Sequence, residues 1–130
     1  YLLSAFLYPK IWSGARLAKE GTANISIVGK ATHYMNEHLS EKLSLSDICT
    51  YLGYSESYFT RVFTKEVGCS PIAYLMRLKG ERAQHLLINT PLKINQIAFM
   101  LGFDDPYYFS KFFSKITGTS PRLFRKMHRE

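Results

Sequence analysis

From about Ile25 the apolar residues fall into short helical bursts separated by glycine, serine and proline. Ile27, Val28, Ala31, Tyr34, Met35 and Leu39 share one side of a helix expected over about Ile25 to Leu39. Next come Ile48, Cys49, Tyr51 and Leu52, an apolar face that ends at Gly53, a natural residue to follow a helix. Ser44 with Asp47 three positions on has the form of a capping box for that helix. Ser55 can cap a second helix, whose Tyr58, Phe59, Val62 and Phe63 line one side until Gly68. Ser70-Pro71 then opens a long segment that runs to the break at Thr90-Pro91, with Ile72, Leu75, Met76, Leu78, Arg82, Ala83, Leu86 and Leu87 along its stripe. Ile94, Ile97, Ala98 and Leu101 before Gly102, and Tyr108, Phe109, Phe112 and Phe113 before Gly118, predict two more short helices. Ser120-Pro121 starts a last one over about 121–129, with Phe124 turned into the core and the charges of Arg122, Arg125, Lys126 and Arg129 left to solvent or phosphate.

The pattern repeats. Leu43 to Pro71 can be laid over Leu92 to Pro121, so that Ile48 meets Ile97, Gly53 meets Gly102, Phe59 meets Phe109, Phe63 meets Phe113, and Ser70-Pro71 meets Ser120-Pro121. The offset is 49 at Gly53 and 50 at Gly68, because the second copy has one extra residue in its turn. Turns accept insertions, whereas a helix would lose its facing. Each copy is a helix, a glycine turn and a helix, which is the helix-turn-helix pattern. The first spans about 44–68 and the second about 93–118.

The connection supplies a geometric argument. Nineteen helical positions from Pro71 to Asn89 make a rod of roughly 28 Å. Successive major-groove openings on one face of B-DNA lie about 34 Å apart. A rod of that length suits two recognition helices in adjacent groove segments of one duplex. Gly80 interrupts it with a cost of about 1 kcal/mol relative to alanine, and marks either close packing or a mild hinge.

Composition agrees with a packed, polyanion-binding domain. Hydrophobic residues make up 46% and aromatics 15% of the 130, ample for a core. Seventeen Lys and Arg against ten Asp and Glu leave a net charge of +7, which favours a polyanionic partner. Five of those seven excess charges lie from Leu43 onward, with the repeat. Cys49 and Cys69 form no disulfide framework, and the four histidines have no ligand spacing with them. Cys49, aligned with Ala98, reads as a small buried thiol and Cys69 as half-exposed and idle; such thiols suit a reducing, cytoplasmic setting. No apolar run approaches the roughly 20 residues of a membrane span. No nucleophile with its base, paired carboxylates or metal cluster is apparent, so no enzyme, cofactor or metal is expected.

The spaced residues of "IAFMLGFDDPYYFSKFFSKITGTSPRLFR" resemble the C-terminal signature of the AraC/XylS family of bacterial transcription regulators: I-A, G-F, Y-F, F, G, S-P and an aromatic-Arg pair. The likeness extends back through the long helix and the first motif to about Ile25. It implies an all-α DNA-binding domain over 25–130, of about seven helices, with two helix-turn-helix motifs of homeodomain-like three-helix form joined by a linker helix. Lys93 in place of a capping Ser or Thr, Gly80 within the linker helix and Pro106 in the second turn depart from the family pattern. The family usually carries a sensory or dimerisation domain upstream, and residues 1–24, "YLLSAFLYPKIW…", are expected to be its remnant or linker. The resemblance further implies activation more often than repression, contact with RNA polymerase, a small-molecule effector acting only through the upstream domain, and room for a homodimer of the longer protein.

The core stripes leave Glu56, Ser57, Thr60, Arg61, Thr64 and Lys65 outward on the first recognition helix, and Asp105, Pro106, Tyr107, Ser110, Lys111, Ser114 and Lys115 on the second. The family's base-reading positions match Ser57, Thr60 and Arg61, and Tyr107, Ser110 and Lys111. Arg61 is the strongest candidate, because a guanidinium takes guanine O6 and N7 together. Lys111 offers a point charge that discriminates less. Tyr107 either meets a thymine methyl or a base, or packs. Thr64, Lys65, Ser114 and Lys115 suit phosphates, as do backbone amides at the starts of the motif helices. Asp104 is expected to cap its helix; Glu56 either suits the helix dipole or accepts from cytosine N4. The alternative to a DNA-binding domain is a basic helical module that binds protein.

Overall fold

The computed structural model describes residues 22–129, with side chains from Ile27 on. These residues form α1 (Thr22–Glu37), α2 (Leu45–Leu52), α3 (Glu56–Val67), α4 (Pro71–Asn89), α5 (Ile94–Met100), α6 (Pro106–Thr117) and α7 (Pro121–His128). The expected N-terminal remnant lies outside the described residues, apart from the beginning of α1. That helix starts at Thr22 and stops at Glu37, a little before the expected bounds, and His38 closes its last turn by donating to the Met35 carbonyl at 3.2 Å. The linker helix keeps its expected ends, set by proline at its first position and Thr90-Pro91 beyond its last.

Two compact units divide the chain. The first holds the described residues to His38 together with Leu43–Met76; the second holds Leu39–Lys42 and the chain from Arg77. In the first unit α1 packs on α2 and α3. Its core comprises Ile27, Ala31 and Met35 of α1, Ile48 and Cys49 of α2, Phe59, Val62, Phe63 and Val67 of α3, and Tyr74 and Leu75 of α4. Phe63 meets the edge of Tyr74 at 5.6 Å. Each fully buried Phe removes enough apolar surface from water to stabilise by about 1.5–3 kcal/mol.

The second unit has its own core of Leu78, Ala83 and Leu87 from α4, Ile97, Ala98 and Leu101, Phe103, Phe109 and Phe113 of α6, and Phe124 of α7. Its rings form an edge-on series, Phe103 to Phe109 and Phe113 to Phe124, each pair at 5.3 Å. Gly80 is a packing glycine: a Cβ there would lie 3.2 Å from Ile116 Cδ1 and 3.8 Å from the Phe112 ring of α6. The helix continues unbroken through it.

Three expectations for this unit need correction. Arg82 does not continue the buried stripe of α4; it is exposed, while Lys79 and Gln84 are buried. Not all the terminal charges are left to solvent or phosphate. Arg125 donates from Nε to Leu87 O at 2.9 Å and from Nη2 to Thr90 O at 3.1 Å, and Arg129 donates to Thr90 O at 2.9 Å. Both guanidiniums satisfy carbonyls at the α4 C-terminus, where helical C=O groups lack partners and the dipole favours cations. Asp104 does not cap α6. Pro106 takes the first helical position and holds Asp105 extended, so Asp105 is the cap and accepts from Tyr107 N at 3.0 Å. Asp104 pairs instead with Lys42 on the surface.

Candidate nucleic-acid interface

Each recognition helix is set by its cap and by the turn before it. In the first motif, Ser44 accepts from Asp47 N and the Asp47 carboxylate accepts from Ser44 N, a complete capping box. Ser55 then starts α3 by accepting from Tyr58 N at 3.2 Å. In the second motif Lys93 cannot accept such a bond. Only the return half exists, with Gln96 Oε1 accepting from Lys93 N at 2.9 Å. The stretch between α5 and α6 is accordingly longer than that between α2 and α3: α5 loses its last position as well as carrying the extra residue. Both turns use a left-handed glycine, Gly53 at φ +83° and Gly102 at φ +85°.

These starts orient two polar strips. On α3, Ser57, Arg61, Thr64 and Lys65 are exposed and Thr60 is half-buried, while Phe59 and Phe63 are wholly inside. On α6, Tyr107, Lys111 and Lys115 are exposed and Ser110 and Ser114 half-buried, with Phe109 and Phe113 inside. Every position named for base or phosphate contact therefore reaches solvent on one of the two helices. Tyr107, 69% exposed, does not pack into the core.

Each strip carries a cation over an aromatic ring. The Arg61 guanidinium lies 5.3 Å from the Tyr58 ring centroid, and the Lys111 ammonium 5.4 Å from that of Tyr107. At exposed sites such contacts are worth about 0.5–1 kcal/mol, enough to bias a long side chain without fixing it. Periodicity puts Tyr58 and its counterpart Tyr108 on the apolar stripe, yet both are exposed. They lie at the stripe's edge, and a phenol prefers to keep its hydroxyl wet. A ring contact between Tyr54 and Tyr58, at 5.6 Å, extends the aromatic surface of the first motif.

The carboxylates do structural work here. Glu56 occupies the first turn of α3, where a negative charge suits the dipole. Burial, and secondarily the Glu56 carboxylate, push the Cys49 thiol up, so Cys49 is the inert buried thiol that its alignment with Ala98 predicts. Among the described residues no three His, Cys, Asp or Glu side chains gather as a metal site, and no helix is long and apolar enough to cross a membrane.

Comparisons with known proteins agree with this geometry. The family model described as "Helix-turn-helix domain" matches residues 48–127. The HTH-type transcriptional regulator YisR of Bacillus subtilis is 35% identical over 106 residues, covering 82% of this chain and 37% of that protein. The chain spans about a third to a half of the length of the first curated relatives it matches. Among solved structures, the C-terminal domain of the response regulator AraT from Geobacillus stearothermophilus superposes with a TM-score of 0.78 at 35% identity, over 80% of this chain and 87% of that one. An AraC-type DNA-binding domain from Chromobacterium violaceum gives 0.73 at 30% identity, over 79% and 92%. With two helix-turn-helix units, a linker helix of the expected extent and these likenesses together, the chain belongs to the AraC/XylS family of helix-turn-helix DNA-binding domains of transcription regulators.

Proposed function

We propose that this domain reads duplex DNA with α3 and α6, each lying in the major groove, in adjacent groove segments of one site. Ser57, Thr60 and Arg61 read bases from α3, and Tyr107, Ser110 and Lys111 read them from α6. Thr64, Lys65, Ser114 and Lys115 meet phosphates. The observation that carries the reading is the repeated strip itself: in both motifs the face opposite the buried phenylalanines presents small hydroxyls and a cation seated on a tyrosine. Arg61 supplies bidentate recognition of guanine, and Lys111 a less selective charge. In the longer regulator the domain activates transcription through contact with RNA polymerase in the cytoplasm, and an effector acts through the upstream domain, which also permits a homodimer.

Salt dependence tests the core of this reading. Neutralising several phosphates makes log K fall with log salt by about 0.9 for each one. Steep, sequence-dependent binding to a selected duplex supports it. Binding indifferent to salt overturns it and favours a protein-binding module.

A further inference from the structure

The turn before α6 is held by a side chain that no base- or phosphate-contact role requires. Lys79 lies on α4, only 4% exposed, and its ammonium donates to three backbone carbonyls: Leu39 at 2.7 Å, Glu41 at 2.8 Å and Leu101 at 2.6 Å. An ammonium has three protons, and all three are used. Leu101 O belongs to the residue that ends α5, where a carbonyl has no helical partner. Phe103, two residues on, sets its ring 5.9 Å from the same nitrogen.

The turn is shaped to this contact. A Cβ on Gly102 would lie 2.8 Å from Glu41 O and 3.1 Å from Lys79 Nζ, so only glycine leaves room, quite apart from its φ of +85°. On the outer side Lys42 pairs with Asp104. Residues 39–42 and 101–104 are thus joined at the ammonium, at the glycine and at the surface ion pair. The turn of the first motif is open by comparison: a Cβ on Gly53 would meet no described atom within 4 Å. The difference follows from local structure. The first motif is short and fully capped; the second has Lys93 at the position of Ser44, carries one more residue, and has a longer connection to fix.

We infer that Lys79 is the positioning residue of the second recognition helix: by gathering the carbonyls of Leu39, Glu41 and Leu101 it fixes the 101–105 turn, and with it the aim of Tyr107, Ser110 and Lys111 at the bases. This rests on the proposed reading of DNA by α6. The role is orientation, not contact, since Lys79 is inside and reaches no nucleic acid. A buried ion retained for the geometry it imposes is a known use of such groups.

Two measurements on the 130-residue chain test it. In the first, the wild type and Lys79→Met are offered a duplex library randomised over about 20 base pairs, two helical turns. The wild type should select two half-sites. The Met variant should lose at least about tenfold discrimination at the half-site assigned to α6 by a Lys111→Ala control, and keep its selectivity at the other half-site. Equal selectivity at both half-sites in wild type and variant overturns the inference, and so does equal loss at both, which marks a general structural role. The second needs no variant. In the wild-type domain the Lys79 Nζ resonance should show through-hydrogen-bond couplings to the carbonyl carbons of Leu39, Glu41 and Leu101. Absence of the Leu101 coupling overturns the positioning role even where Lys79→Met fails to fold. A wild type that selects no sequence defeats the DNA reading by α6 and the inference with it, while three observed couplings would leave the carbonyl clasp standing as a feature of the fold alone.

Discussion

Truncating Arg61 separates base reading from simple attraction to phosphate. In free protein its guanidinium rests on Tyr58 at 5.3 Å, an exposed contact worth about 0.5–1 kcal/mol. Arg61→Ala gives up that contact but places a good helix former at an exposed position of α3. The folded state should therefore change by less than about 1 kcal/mol, and a melting curve should show little shift. Affinity should change far more. A bidentate pair with guanine discriminates by about 1–3 kcal/mol, which at 1.4 kcal/mol per factor of ten is a loss of about 5- to 140-fold on a selected duplex. Fluorescence anisotropy on that duplex and on a scrambled one, at one fixed salt concentration, reads the two losses side by side. The scrambled duplex should lose much less, and selection repeated with the variant should relax at one position. Lys65→Ala provides the contrast, weakening both duplexes alike and lowering the salt slope by about 0.9. Equal losses on both duplexes for Arg61→Ala would make Arg61 a phosphate contact and refute the assignment.

Other expectations concern the scaffold. Asp105→Ala, which removes the α6 cap, should cost about 0.5–2 kcal/mol in urea unfolding, whereas Asp104→Ala, which breaks an exposed pair, should stay under about 1 kcal/mol; the reverse order would show that Asp104 is the cap after all. Gly80→Ala gains up to about 1 kcal/mol of helix propensity and is crowded only by the movable tip of Ile116, its other neighbours lying at ordinary contact distance, so its melting temperature should hold or rise slightly. A clear fall would mean that Ile116 cannot yield. Burial brings Lys79 from 10.5 down to about 8, against the opposing pull of Glu41. The unfolded chain therefore holds this proton more tightly between those values, and wild-type stability should gain up to about 3 kcal/mol as pH rises through that window. Lys79→Met should lack that rise; parallel pH curves for the two proteins would contradict it.

Much of the architecture can be read from the sequence because its signals are local. The ends of α4 follow from Ser70-Pro71 and Thr90-Pro91, and the inward phenylalanines of α3 and α6 from spacing reinforced by the repeat. What escaped was decided by distant groups or by finer local chemistry. Periodicity favoured Arg82 over Lys79 for the buried face of α4, but three carbonyls far away in sequence make the interior habitable for Lys79, and nothing local announces them. Arg125 looked like a solvent charge because the open carbonyls of α4 lie more than thirty residues earlier. The choice between Asp104 and Asp105 was available locally, since proline at a first helical position names the preceding residue as the cap. The positions facing outward on α3 and α6 were legible for the same reason as the core: they are what a helical stripe leaves over.

The clasp of Arg125 and Arg129 on the end of α4 makes α7 and the residue after it working parts of the second unit. A stop codon placed before Arg125 would remove both guanidiniums and leave Leu87 and Thr90 carbonyls to find water, fraying the helix that carries Lys79. Weak DNA binding by a variant altered in α7 is therefore to be read first as a damaged clasp on α4 and only then as a damaged DNA surface.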